Sequence, residues 1–243
     1  MSRSMRSNFI LAFTVIVSVF GSFTILMLGL HPPKIGPDFF WRKPLIGSIF
    51  TLICISGIIA GLSPQHCTHT FRSLRTKKTP SSDNNSSVSQ KMSIAFKGHH
   101  PDCRGYSNHV IRVNEHVLCA ACIGLLLGAF TALAGTFAYF VGGWKLGQAS
   151  LPALLLGQAG IFFGLVQIKF RGYSRLIVNG FFVLAAFLTL VGIDELAENV
   201  FIDLYVLALI VFWLMTRILI SQWDYWKICQ TCETPCRLAA DRG

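Results

Sequence analysis

Long uncharged apolar runs alternate with short charged segments along this 243-residue chain. A run of about 20 apolar residues is long enough to cross the hydrocarbon core of a bilayer as an α-helix. A helix on the surface of a soluble protein would show a polar face at a period of about 3.6 residues, which these runs lack. The pattern therefore predicts an all-α protein, a polytopic transmembrane helix bundle with about six spans.

The predicted spans cover residues 9–30, 45–62, 118–141, 151–168, 176–193 and 200–220. The first run is longer than the apolar part of a signal peptide, so we interpret it as a retained helix, with cleavage near Gly21 as the alternative. The spans divide the chain into an N-terminal helix pair (1–62), a flexible linker rich in Ser, Asn and Lys (63–96) and a four-span core with a C-terminal tail (97–243).

Composition supports the same class of protein. The chain is 53% hydrophobic and only 13% charged, whereas a soluble domain carries about 25% charged residues. The net charge of +10 could indicate nucleic-acid binding, but basic cytoplasmic loops explain it more simply on so apolar a chain. We therefore expect the lipid bilayer as the partner and no nucleic acid, and leave protein partners open.

The distribution of basic residues predicts an orientation. With six spans and both termini in the cytoplasm, only four of the 21 basic residues face outward: Lys34, Arg42, Lys43 and Lys145. Short loops rich in Lys and Arg stay on the cytoplasmic side of a membrane. Two overlapping Asn-x-Ser triplets at Asn84 and Asn85 would instead favour an external linker. The charge distribution outweighs them, which predicts a multi-pass cell-membrane protein with cytoplasmic N- and C-termini.

A group of cysteines and histidines falls on the predicted cytoplasmic face, where thiols stay reduced and paired cysteines indicate metal or redox sites. Two intervening residues allow both sulfurs of a Cys-x-x-Cys pair to bind one tetrahedral ion. At the start of a helix, free N–H groups and the dipole also favour the thiolate. The predicted zinc ligands are His100, Cys103, His109, Cys119, Cys122, Cys229, Cys232 and Cys236, in one site or two.

Three functions compete. The first is a membrane protein whose zinc site has a structural role, fastening the loop and the tail to the bundle. The second is a thiol-redox or metal-dependent membrane enzyme that uses Cys119 and Cys122, although no other catalytic arrangement is evident. The third is a small-solute transporter or channel, which should bury charges inside its spans. Since Asp194, Glu195 and Asp203 lie near predicted helix ends, we interpret them as solvated caps.

The Cys/His segments resemble the signature of a group of archaeal and bacterial multi-pass membrane proteins of unknown function. The resemblance rests on His-His-Pro-Asp-Cys (99–103), His109 and Cys-Ala-Ala-Cys-Ile-Gly (119–124). Gly-Leu-Val-Gln (164–167), Ser-Arg (174–175) and Asn-Gly (179–180) are similar to a second block of that group. The likeness covers roughly residues 97–236 and implies a transmembrane fold with a Cys/His site, but no activity.

Overall fold

The structure is a computed structural model, and it describes residues 3–32, 40–62, 110–113 and 116–230. Side chains are described over 9–32, 40–62 and 119–224 and at position 111. The predicted linker 63–96 therefore lies outside the described residues, as do five predicted ligands: His100, Cys103, His109, Cys232 and Cys236.

Within the described residues, six helices are long and apolar enough to cross a membrane, which confirms the predicted all-α six-span bundle. They are α1 (Arg3–Leu30), α2 (Arg42–Leu62), α3 (Ala120–Thr136), α4 (Ser150–Leu165), α5 (Gly172–Ala197) and α6 (Val200–Gln230). Two short antiparallel strands, β1 (Val110–Val113) and β2 (His116–Cys119), form a hairpin directly before α3. A π-helical turn (Phe137–Val141) extends α3 toward a short connection to α4. Helices α2 and α5 begin earlier than the apolar runs suggest, because their polar ends are helical too.

Helix α5 lies at the centre of the bundle, between α3 and α4. Half of its most apolar window is buried, against 22% for α1. Glycines permit the close contacts: a Cβ built on Gly128 would lie 2.5 Å from the carbonyl oxygen of Gly180, and one on Gly160 would lie 2.5 Å from the Cβ of Ala185. The spacing of small residues four apart therefore serves helix packing, as expected for membrane helices.

Helices α1 and α2 lie at the periphery. Helix α1 runs along α6, where the indole of Trp213 donates to the carbonyl oxygen of Ser18 at 3.3 Å. Helix α2 packs against α3, with Gly47 next to Phe140 and Gly61 next to Leu126. Successive helices run in opposite directions, so polar residues near the helix termini collect at two opposite ends of the bundle.

The outer surface of the bundle is apolar. Phe13, Phe20, Phe162 and Phe201 are each more than half exposed, and Phe201 reaches 76%. A soluble protein rarely presents such a continuous aromatic and aliphatic surface to water. This surface is suited to the hydrocarbon of a bilayer.

Candidate thiol site and two buried polar clusters

Cys119 and Cys122 lie where the β-hairpin passes into α3. Cys119 pairs with Val110 at the open end of the hairpin and is the extended residue immediately before the helix. Cys122 follows one turn later. Both thiols are free rather than joined in a disulfide, Cys119 is buried and Cys122 is half-buried. The hairpin therefore fixes Cys119 and the helix fixes Cys122, so the pair has a defined geometry.

The two thiols interact electrostatically. A hydrogen bond with the Cys122 side chain lowers the pKa of Cys119 to about 6, against the opposing effect of burial. The backbone N–H groups of Cys122 and Ala121 and the positive charge of Arg175 contribute to the same lowering of the pKa. A free thiol has a pKa of about 8.5, so Cys119 is largely a thiolate at neutral pH. Thiolate is the form that binds metals and attacks disulfides.

The described part of the chain brings together two of the eight predicted ligands, Cys119 and Cys122. Cys229 lies in the last turn of α6, and its side chain is outside the described set. Within the described ranges, no three His, Cys, Asp or Glu side chains are close enough to hold one metal ion. The zinc site thus stays a prediction.

A cluster of buried polar side chains lies at the same end of the bundle. We call it the Arg175 cluster, after Arg175 on α5, and it also contains Asn179 of α5, Gln167 of the α4–α5 connection and Arg217 of α6. All four are at most 6% exposed. Three of them, Gln167, Arg175 and Asn179, belong to the second block of the family resemblance, although they are scattered in sequence.

Hydrogen bonds connect the members of the Arg175 cluster. Arg217 donates to Gln167 Oε1 at 3.2 Å and to Asn179 Oδ1, and its guanidinium lies 5.5 Å from the ring of Phe182. The amide of Asn179 donates to the carbonyl oxygen of Arg175 at 2.5 Å. Arg175 itself approaches Asp224, which is 21% exposed, at 3.8 Å. The cluster thereby joins α4, α5 and α6 at this end.

Close packing of α3 on α5 brings the thiol pair to the Arg175 cluster. A Cβ on Gly124 would collide with the carbonyl oxygen of Leu176 and contact Asn179. Gly124 follows Cys122 by two positions, so this close approach holds the start of α3 against the start of α5. The charge of Arg175 can therefore act on Cys119.

A second cluster occupies the opposite end of the bundle. We call it the Arg42 cluster, and it consists of Arg42, Tyr139, Asp194 and Asp203. Arg42 Nη1 lies 2.6 Å from Asp194 Oδ1 and 2.8 Å from Asp203 Oδ2. The hydroxyl of Tyr139 donates to Asp194 Oδ2 at 2.7 Å. Four elements, α2, the π-helical turn after α3, α5 and α6, meet at these side chains.

The tight turn between α5 and α6 holds the two aspartates close together. Glu198 ends α5 in a left-handed conformation (φ 46°), and its N–H donates to the carbonyl oxygen of Asp194 at 3.1 Å. Asn199 then accepts a hydrogen bond from the N–H of Phe201 at 2.9 Å, which caps the start of α6. Asp203 lies one turn into α6 and faces Asp194 across the turn.

The expectation that the acidic residues are solvated caps is wrong for Asp194 and Asp203, which are both 0% exposed. Their positions near helix ends suggested contact with water, but α2 and the end of α3 cover them. Glu195 is half-buried and accepts hydrogen bonds from the N–H groups of Leu146 and Gly147, each at 2.8 Å, so it anchors the α3–α4 connection. The sequence did contain a signal for this cluster. Arg42 lies at the start of the second span, Asp194 at the end of the fifth and Asp203 at the start of the sixth, so all three are at the same side of the bundle.

An apolar layer separates the two clusters. Its fully buried members include Leu154, Ile161, Phe182 and Leu190. Within the described spans, no Asp, Glu, Lys, Arg or His side chain is buried between the clusters, so the charged groups do not form a continuous path across the bundle. This arrangement gives a transporter or channel no specific support.

The fold and the apolar outer surface define an α-helical, six-span integral membrane protein. No family model matches the chain, and no curated protein and no solved structure matches it significantly. The resemblance to the archaeal and bacterial membrane proteins therefore stays a prediction from the quoted motifs.

Proposed function

We propose that this integral membrane protein binds a structural zinc ion through Cys119 and Cys122 at the cytoplasmic face of the cell membrane. The observation that carries the proposal is the contact of two free thiols, spaced Cys-x-x-Cys, at the junction between a hairpin and a membrane helix. This spacing suits two sulfurs of a tetrahedral zinc site, in which each Zn–S bond is about 2.3 Å long.

The remaining zinc ligands in this proposal are those predicted from the sequence. Cys103 with His109 or His100 completes a four-ligand set, and Cys229, Cys232 and Cys236 either join it or form a second site. Zinc accepts mixed Cys and His ligands, whereas iron–sulfur clusters favour cysteine alone. A closed site would tie the long loop and the C-terminal tail to the helix bundle and stabilise the folded state. The same features agree with membership of the family that the motifs resemble.

Elemental analysis tests this proposal. Wild type, Cys119→Ser and Cys122→Ser are purified in detergent without added metal, with Cys54→Ala as the matched control. Cys54 is buried in α2 and unrelated to the predicted ligands. We expect stoichiometric zinc in wild type and in the control, and loss of zinc together with a lower melting temperature in both serine variants. Metal-free wild type with freely reacting thiols would contradict the proposal.

One observation favours a thiol-redox function as the alternative. The pKa of Cys119 is about 6, and thiols that exchange fastest have a pKa near the ambient pH. The same preparations distinguish the two functions. A Cys119–Cys122 disulfide that forms with oxidised glutathione and opens with reduced glutathione, in protein without zinc, would support the redox function.

A further inference from the structure

The Arg42 cluster contains one positive charge for two carboxyl groups. Arg42 Nη1 contacts both Asp194 and Asp203, and the side chains of all three residues are at most 2% exposed. If both aspartates were ionised, this buried group would carry one uncompensated negative charge. Such a charge costs several kcal/mol in a protein interior that excludes water, and the surrounding bilayer cannot solvate it.

The hydrogen bonds of the two aspartates differ. Asp194 has a donor for each oxygen, because Arg42 contacts Oδ1 at 2.6 Å and Tyr139 donates to Oδ2 at 2.7 Å. Asp203 receives Arg42 at Oδ2, at 2.8 Å, while its Oδ1 is buried without a hydrogen-bond partner among the described residues. An ionised carboxylate needs donors at both oxygens when it is buried. Asp194 is therefore equipped to be ionised and Asp203 is not.

Among the residues that the structure describes, neighbouring charges do not supply the missing positive charge. Besides Arg42, α2 presents Lys43, whose Nζ lies 4.8 Å from the centre of the Tyr139 ring. Besides Asp194, α5 presents Glu195, which is 3.5 Å from the Tyr139 hydroxyl and binds backbone N–H groups. These two charges offset each other. Tyr139 itself comes from the turn after α3, while His31, Lys145 and Glu198 are exposed at this end.

We propose that Asp203 binds a proton and is a neutral carboxylic acid at neutral pH, paired with an ionised Asp194. The proton forms an O–H bond with the carboxyl group of Asp203 and makes the Arg42–Asp194–Asp203 group electrically neutral. The Arg42 cluster is thus a buried proton-binding site, separate from the thiol pair at the other end of the bundle. Loss of this proton leaves an excess negative charge where α2, α5 and α6 meet, so occupancy of the site controls their packing.

Infrared spectroscopy detects the proton directly. The carbonyl stretch of a protonated carboxylic acid is separated from the bands of ionised carboxylates. We expect one such band in wild-type protein at neutral pH, its loss in Asp203→Asn, and its retention in Glu195→Gln and Asp224→Asn. Absence of the band from wild type would overturn the proposal without depending on the folding of any variant.

Matched amide substitutions then assign the proton to one aspartate. Asparagine resembles a protonated aspartate in size and charge, so Asp203→Asn should keep the melting temperature of wild type. Asp194→Asn removes the ionised partner of Arg42 and should lower the melting temperature by several degrees. The reverse order would place the proton on Asp194, and equal losses would mean that both aspartates are ionised. Either result contradicts the proposal.

A bound alkali cation is the competing source of positive charge. Wild type and Asp203→Asn are compared in sodium chloride and in choline chloride at equal ionic strength and pH. We expect no effect of sodium on the melting temperature of either protein. Stabilisation of wild type by sodium that disappears in Asp203→Asn would overturn the proton assignment.

Discussion

At the scale of single residues, burial decides what a charge does. Arg42 and Lys43 are adjacent cations at the start of α2, yet Arg42 is 1% exposed and Lys43 is half-buried. Arg42 contacts two carboxyl groups, whereas Lys43 lies over the ring of Tyr139. Removing one partner of a buried ion pair leaves an uncompensated charge, while an exposed pair contributes little.

These two residues provide a controlled test of the Arg42 cluster. Arg42→Gln should destabilise the protein by about 3–5 kcal/mol, because it leaves Asp194 ionised and buried without its cation. Lys43→Gln removes the same charge one position away and should cost about 1 kcal/mol or less. The measurement is the melting temperature of each variant in the same detergent. Similar losses in the two variants would contradict the structural role of Arg42.

At the scale of helices, close contacts between glycines and the opposing helix position the elements. The seam between α3 and α5 uses Gly124 and Gly128, and the seam between α4 and α5 uses Gly160 and Gly164. Close backbone approach strengthens van der Waals packing, which replaces the hydrophobic effect between helices in lipid. The first seam also holds the Cys119–Cys122 pair beside the Arg175 cluster.

Alanine substitutions test the α3–α5 seam. Gly128→Ala places a Cβ 2.5 Å from the carbonyl oxygen of Gly180, so the helices must separate, at a cost of about 1–3 kcal/mol. Gly57→Ala is the control, because nothing lies within 4 Å of its added Cβ. Alanine favours helix over glycine by about 0.5–1 kcal/mol, so the control should match or exceed wild type in melting temperature. A stable Gly128→Ala variant would show that the seam is looser than described.

At the scale of the whole molecule, the six antiparallel spans place the two clusters at opposite membrane faces. The distribution of basic residues predicts that the Arg175 end faces the cytoplasm and the Arg42 end faces the outside. This predicted orientation matters because a cytoplasmic location would keep Cys119 and Cys122 reduced. The fold itself is compatible with either orientation.

Labelling of intact cells tests the orientation. Lys145, in the α3–α4 connection, and Tyr173, in the first turn of α5, are exposed at opposite ends of the bundle. An impermeant maleimide should label Lys145→Cys on intact cells and Tyr173→Cys only after the membrane is permeabilised. The same labelling of the unsubstituted protein measures the background from its native cysteines. Labelling of Tyr173→Cys alone in intact cells would reverse the topology and expose the predicted zinc site to an oxidising compartment.

The sequence by itself determined the six spans, because an apolar run of sufficient length has only one stable conformation in a bilayer, with all its backbone hydrogen bonds satisfied internally. The spacing of Gly124 and Gly128, and that of Gly160 and Gly164, likewise places each pair on one helix face, since residues four apart lie on the same face. The thiol pair followed from the Cys-x-x-Cys spacing. All of these features depend on neighbours in the chain.

Only the tertiary structure decided which polar residues are buried. Arg42 contacts an aspartate 152 positions away and another 161 positions away, and no local pattern encodes such a separation. Near a helix end, a solvated cap and a buried ion pair have the same sequence signature, because neighbouring helices determine the access of water. The same reasoning applies to the Arg175 cluster. Its members come together only through the packing of α4, α5 and α6: Gln167, Arg175, Asn179 and Arg217.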